Sequence, residues 1–183
     1  NEVDYKNARR RLVLDEFIYL RSIFENLKSK YKHENKGLVY TFSNSDIDEF
    51  IDQLPFQLTQ SQFKAVNEIL EDFRKNYPMK RLLQGDVGSG KTVVATIASY
   101  AAIKSGYQVA LMAPTEVLAE QHFASINQFM NKDQCDIYLL TSSIKDRENI
   151  LDNLNNGEPA LYIGTHALIP VSYTHLTLPT MDH

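Results

Sequence analysis

Eight consecutive residues, Gly85-Asp86-Val87-Gly88-Ser89-Gly90-Lys91-Thr92, constrain this chain more tightly than any other stretch. They follow Arg81-Leu82-Leu83-Gln84, which reads as a short buried strand, and they open a helix rich in Val, Ala and Ile that runs from Thr92 to Lys104. Strand, glycine loop and helix in that order, with the spacing G-x-x-x-x-G-K-T, make a phosphate-binding loop. The glycines let the backbone turn so that successive N–H groups point inward at a β-phosphate, and the helix N-terminus adds about half a positive charge there. Lys91 is expected to neutralise β- and γ-phosphate oxygens, and the Thr92 hydroxyl to hold Mg²⁺. These two residues are the expected catalytic pair, while Gly85, Asp86, Val87, Gly88, Ser89, Gly90, Lys91 and Thr92 together are expected to line a nucleoside triphosphate.

The rest of the composition narrows the class without naming a substrate. At 183 residues the chain is long enough for one α/β domain and an appendage, and too short for a two-domain motor. A net charge of −4 means that any nucleic-acid contact must come from local groups such as helix N-termini, since the bulk electrostatics do not announce one. The single cysteine, Cys135, excludes an internal disulfide and is expected to be a buried apolar thiol in a reducing compartment. With no secretory h-region and no apolar run of about eighteen residues, the expectation is a soluble, cytoplasmic protein without a membrane partner.

Hydrophobic spacing organises the remainder. Val13, Phe17, Leu20, Phe24, Leu27 and Tyr31 recur every three or four residues between Asp4 and about Lys32, which predicts one long helix whose stripe packs on a neighbouring domain. Arg9, Arg10 and Arg11 on that helix read as a solvated face. A second helix is expected from an N-cap at Ser45, with Phe50, Ile51 and Leu54 inward and Pro55 as its stop. Thr59 and Gln62 form a capping box that opens a third, with Phe63, Val66, Leu70 and Phe73 on its apolar face. Gln62 has a second reading that the spacing leaves open, because its amide offers the donor and acceptor that match the N6 and N7 edge of adenine.

Beyond the glycine loop, strand and helix alternate. Gly106 ends the loop helix, Gln108–Ala113 is a strand, and Thr115 to about Met130 is a helix with Leu118, His122, Ile126 and Phe129 on one side. Asp136–Leu140 is a strand, Ser143 caps a helix that ends at Asn156-Gly157, and Ala160–Gly164 is a further strand. This alternation predicts parallel βαβ units, in which ligands sit beyond the carboxyl ends of the strands. The glycine loop, Pro114-Thr115, Thr141-Ser142-Ser143 and Gly164-Thr165-His166 all fall at such ends.

Taken in order, these stretches resemble the motifs of superfamily 2 helicases. Gly85–Thr92 resembles motif I, Ala113-Pro114-Thr115-Glu116-Val117-Leu118-Ala119-Glu120-Gln121-His122 resembles motif Ia, Gly164-Thr165-His166-Ala167-Leu168-Ile169 resembles motif Ib, and Leu54–Gln62 is similar to the adenine-reading Q motif. The wording GDVGSGKT, APTEVLAEQH and GTHALI is similar to that of the bacterial RecG family of ATP-dependent DNA helicases, across the chain from the long helix to about Ile169. The resemblance implies a RecA-like α/β fold, ATP with Mg²⁺, and a monomeric motor acting on branched double-stranded DNA at stalled forks and Holliday junctions in repair and recombination. It also implies an adenine contact for Gln62 and DNA-phosphate contacts for Thr115, Ser143 and Thr165, each at or near a helix start where plain N-capping would serve as well. Ser142 departs from the family, which usually has Gly at that position.

The same resemblance leads one to expect a D-E-x-H strand near the sheet centre, a second motor domain with an arginine finger, and a fork-opening wedge, none of which this sequence carries. The sheet is therefore expected to be incomplete and the chain by itself inactive. The expected organisation is a linker helix and turn over 1–44, part of the ATP-binding domain over 45–169, and a non-native tail over 170–183, where Val171 onward resembles a translated sequencing adaptor. The alternative is another phosphate-loop protein: the related transcription-repair coupling motor, a kinase, or a GTPase. A GTPase is disfavoured because Asn131-Lys132-Asp133-Gln134 misses the guanine-reading N-K-x-D at its last position.

Overall fold

In the computed structural model the described residues are 2–34, 37–130, 134–142, 144 and 147–165. They fall into two units, one formed by the described residues of 1–39 and 73–80 and one by those of 40–72 and 81–183.

The first unit is dominated by α1 (Glu2–Glu34), the long helix that the spacing predicts. Its stripe forms, but Val13, Phe17, Leu20, Phe24 and Leu27 are 52–69% exposed. The return segment meets Gly37 closely, since the Gly37 N–H donates to Asn76 O at 2.8 Å and any Cβ at Gly37 would collide with the Tyr77 backbone. Glycine is required there by the close approach of two chains.

The second unit holds α2 (Asn44–Asp52), α3 (Gln60–Phe73, whose last residue belongs to the first unit), α4 (Lys91–Lys104), β1 (Val109–Met112), α5 (Glu116–Asn127), β2 (Asp136–Leu140), α6 (Arg147–Asn156) and β3 (Ala160–Gly164). The described strands make one parallel sheet of order β1-β3-β2. Val109 pairs with Leu161 on one side of β3, and Ile137 pairs with the same residue on the other. A strand flanked on both sides and covered on both faces must be apolar throughout, and Ala160, Leu161, Tyr162 and Ile163 are all at most 1% exposed. Each such large side chain contributes on the order of 1.5–3 kcal/mol by leaving water. Tyr162 and Ala160 turn to one face with Leu140 and Ile150 of α6, while Leu161 and Ile163 alternate to the other. Both α4 and α5 lie along β3.

Helix α4 is buried over most of its circumference, from Val93 and Val94 through Ile97 to Ile103. The buried hydroxyls of Thr96 and Ser99 are satisfied within the helix, Thr96 donating to Thr92 O and Ser99 to Ala95 O, each at 2.8 Å. Tyr100 stacks on Phe50 of α2 with centroids 4.3 Å apart. Gly106 (φ +85°) ends α4, and the Tyr107 N–H reaches back to Ala102 O at 3.1 Å, the six-to-one bond of a Schellman stop.

Several local expectations shift. Arg81–Gln84 forms no strand: Leu82 is 86% exposed, and no described strand pairs with the segment. A four-residue apolar run keeps strand geometry only when a neighbour supplies its ladder. Arg81 is held by its side chain instead, its guanidinium donating to Asp72 at 2.6 and 3.0 Å and to Glu68 at 2.5 Å, both on α3. The α2 cap is Ser43, whose hydroxyl accepts from the Ser45 N–H at 3.2 Å, two residues before the expected Ser45. On α3 the inward face is Val66, Ile69, Leu70 and Phe73, with Phe63 turned out at 49% exposure. On α5 it is Ala119 and Ile126, not Leu118. Cys135 is buried against Met130 as expected. The Ser143 cap, the N-K-x-D comparison at Asn131–Asp133 and the 170–183 tail lie outside the described residues. No described helix is long and apolar enough to cross a membrane.

Candidate functional site

The glycine loop owes its shape to two residues in the left-handed region, Gly88 and Gly90, both at φ +81°. A non-glycine residue pays roughly 1–2 kcal/mol for that conformation. The Ser89 N–H donates to Asp86 O at 3.1 Å and closes the turn. Gly90 is then the N-cap of α4 and, lacking a side chain, places no hydroxyl or carboxylate on the first-turn N–H groups. That leaves the positive end of a helix open to an anion. Val87 is fully exposed at the loop tip. The Lys91 ammonium lies along the loop, donating to Gly85 O and Asp86 O at 2.7 Å each. Thr92, half-buried, follows it in the first turn.

Gln62 is where two sequence readings meet. Its Oε1 accepts from the Thr59 N–H at 2.9 Å while its own N–H donates to Thr59 Oγ1 at 3.3 Å, so the capping box is complete. Its Nε2 donates across to Ser89 O at 2.9 Å. The approach is so close that a Cβ at Gly90 would collide with Nε2. Glycine is demanded at 90 by its dihedral, and any side chain there would also displace the Gln62 amide. The amide therefore fastens the start of α3 to the phosphate loop, a role beyond helix capping that spacing alone did not reveal.

Just before Gln62 in the chain, a cleft of about 640 Å³ is lined by Leu54, Pro55, Phe56, Leu58, Gln60 and Phe63, among others. Phe56 packs edge-on against Phe129 at 5.5 Å, so one ring edge is fixed while the residue stays 41% exposed. Phe63, expected on the buried face of α3, lines this cleft instead, and the signal available for Phe56 was an aromatic directly after a helix-stopping proline.

At the strand ends, Thr115 caps α5, its hydroxyl accepting from the Leu118 N–H at 3.3 Å, and it remains exposed. Thr165 follows β3 and is only 5% exposed, and Thr141 after β2 is 1% exposed. Ser143 lies outside the described residues. An unexpected connection joins these ends: the Ser142 N–H donates to Glu116 Oε1 at 2.9 Å. That backbone bond, followed by the Ser142 hydroxyl, holds the Glu116 carboxyl below its usual range.

Comparison with known proteins bears on all of these features. The chain is 48% identical over 179 residues to the ATP-dependent DNA helicase RecG of Synechocystis sp., covering 96% of this chain and 22% of that protein. It is 46% identical over 181 residues to the ATP-dependent DNA helicase RecG of Bacillus subtilis, covering 97% and 26%. Among solved structures, RecG bound to a three-way DNA junction superposes with a TM-score of 0.76 at 39% identity, over 88% of this chain and 22% of that one. The UvsW helicase of bacteriophage T4, 17% identical with a TM-score of 0.50 over 74% of this chain and 46% of that one, shares the fold alone. The chain spans about a quarter of the length of the RecG relatives. The family of DEAD/DEAH box helicases matches residues 59–176, a stretch that opens on the Thr59–Gln62 box and takes in the phosphate loop and all three strands. With that match across most of its length and a parallel sheet behind the loop, the chain belongs to the DEAD/DEAH box helicase family.

Proposed function

We propose that this chain supplies the nucleotide-binding part of an ATP-dependent DNA helicase that works on branched double-stranded DNA, as a cytoplasmic, monomeric motor. The observation that carries the reading is the phosphate loop itself: two left-handed glycines, an uncapped α4 N-terminus and Lys91 converge on one turn, with Gln62 fastened to its back. The loop suits a polyphosphate because its turn is made by two glycines at φ +81° and its helix start carries no capping side chain that would compete for the first-turn N–H groups. Lys91 would exchange its bonds to Gly85 O and Asp86 O for phosphate oxygens, and the residues from Gly85 to Thr92 would surround them. Mg²⁺, when bound with the nucleotide, would be held by the Thr92 hydroxyl and would neutralise charge between the β- and γ-phosphates. Gln62 would present its amide to adenine, with Phe56 and Phe63 offering the apolar flank. Thr115 and Ser143 would meet DNA backbone phosphates beyond the strand ends, which requires no base readout, whereas Thr165, only 5% exposed, does not present its side chain to such a backbone. Support for branched DNA comes from the likeness to RecG in complex with a three-way junction.

The test uses the 183-residue chain with a fluorescent ATP analogue and Mg²⁺. Weak binding is expected, at least about tenfold weaker for Lys91→Ala, as befits the loss of charge-assisted hydrogen bonds. In Gln62→Ala, competition by ATP should fall more than competition by GTP. Equal binding by wild type and Lys91→Ala would remove the phosphate loop from the reading.

A further inference from the structure

The carboxyl ends of β1 and β2 lie on opposite sides of β3, so the chain leaving each would be separated by about two strand spacings, roughly 10 Å, if nothing joined them. One side chain joins them. Glu116 is the first residue of α5, directly after the Thr115 cap that follows β1, and its Oε1 accepts from the N–H of Ser142, which follows β2. Thr141, beside Ser142, is 1% exposed, and Thr165 at the end of the intervening β3 is 5% exposed. The bond therefore closes over a part of the sheet end whose hydroxyls are already out of solvent. Ser142 itself is exposed, and its hydroxyl adds to the lowering of the Glu116 carboxyl that its N–H begins.

We propose that Glu116 is a positioning residue, whose carboxylate clasps the Ser142 turn to the first turn of α5 and so presets the spacing at which Thr115 and the β2 end meet a nucleic-acid backbone. This rests on the reading of the strand ends as a DNA-phosphate surface. The alternative role for a carboxylate on such a surface is simple repulsion of the polyanion, and the two roles predict opposite signs. Electrostatics alone makes removal of Glu116 strengthen DNA binding, since a negative charge leaves the face that meets phosphate. Loss of a clasp weakens it, because the turn bearing Ser142 must then be ordered at the moment of binding. Thr115 keeps its own bond to the Leu118 N–H in either case, so the α5 cap does not depend on Glu116.

The experiment measures fluorescence anisotropy of a labelled duplex and a labelled three-way junction with the 183-residue chain at low salt, alongside hydrogen exchange at the Ser142 amide. Glu116→Ala should bind both DNAs roughly three- to tenfold more weakly, the worth of an ordinary hydrogen bond, and should lose Ser142 protection. Glu116→Gln, which retains a carbonyl acceptor, should restore protection and bind within about twofold of wild type. Unchanged or tighter binding by Glu116→Ala overturns the positioning role and leaves the DNA-phosphate reading standing. No DNA binding by the wild-type chain, with Ser142 still protected through Glu116, overturns that reading and the positioning role with it.

Discussion

Helices α1 and α4 make opposite use of apolar side chains. Along α1, Val13, Phe17, Leu20, Phe24 and Leu27 form a stripe in which every one is more than half exposed, and Leu12, Leu14, Ile18 and Tyr19 lie exposed off it. Along α4, apolar and small residues occupy nearly the whole circumference, and Ile97 and Ala101 are wholly buried. A stripe records that a helix is built to be covered on one face; it does not provide the cover. Helix α4 lies between α2, α5 and the sheet, so its burial is decided by elements folded from the same stretch of chain. A long helix with one apolar face can form by local hydrogen bonding, while its stability in water depends on what packs against it.

The contrast is broken first by cutting into α4. Ile97→Ala removes a side chain with no exposure at the centre of the second unit and is expected to cost about 2–5 kcal/mol, a large share of a marginal total. Chemical denaturation of the two proteins measures it. A cost below about 0.5 kcal/mol would mean that α4 is no more committed to the core than α1.

A thiol reports the same difference chemically. Burial pushes Cys135 up to about 11, so the thiolate that attacks iodoacetamide is scarce at neutral pH and the sulfur is also shielded. Cys135 should react orders of magnitude more slowly than a cysteine introduced by Phe24→Cys on α1, where the native ring is 67% exposed. Since the unfolded thiol ionises near 9.0 and the folded one near 11, the unfolded state releases its proton first as pH rises. Stability should therefore fall across that window, and Cys135→Ala should remove this part of the fall. Equal alkylation rates for the two cysteines would show that the second unit opens as readily as α1.

The smallest effect is expected on α1 itself. Phe24→Ser replaces an exposed apolar ring with a polar group and should change unfolding free energy by no more than about 0.5 kcal/mol. A loss of 2 kcal/mol or more, about the worth of a buried aromatic, would reveal a partner for the stripe.

How much of this was legible in the sequence depended on whether the physics was local. Helix stops at Gly106 and Gly157, the Thr59–Gln62 box and the Thr115 cap are settled within a few residues of themselves, and each was readable. The short apolar runs within Ala160–Gly164 and Asp136–Leu140 likewise marked two strands to the residue. The phosphate loop was plain because its chemistry demands glycine at stated positions, and no other residue adopts φ +81° at so little cost.

Tertiary structure decided what the same residues could not. Leu82 and Leu83 carry the apolar signal of a strand, but strand geometry comes from a ladder with a neighbour, and none of the described strands supplies one. The cap of α2 moved from Ser45 to Ser43 because both serines satisfy the local rule and only the direction of the incoming chain chooses between them. Gln62 could be read as a cap from its spacing to Thr59, whereas its bond to Ser89 joins residues 27 apart in sequence and exists only once α3 and the phosphate loop are brought together. The bond from Ser142 to Glu116 spans 26 residues and reaches across the three described strands. The sequence by itself determined where helices form, the glycine loop, and, to the residue, two of the three described strands, because those follow from hydrogen bonds and sterics within a few residues. Which strand is central, which faces are covered and which polar groups meet across the sheet were decided by folding, because each depends on a partner remote in the chain.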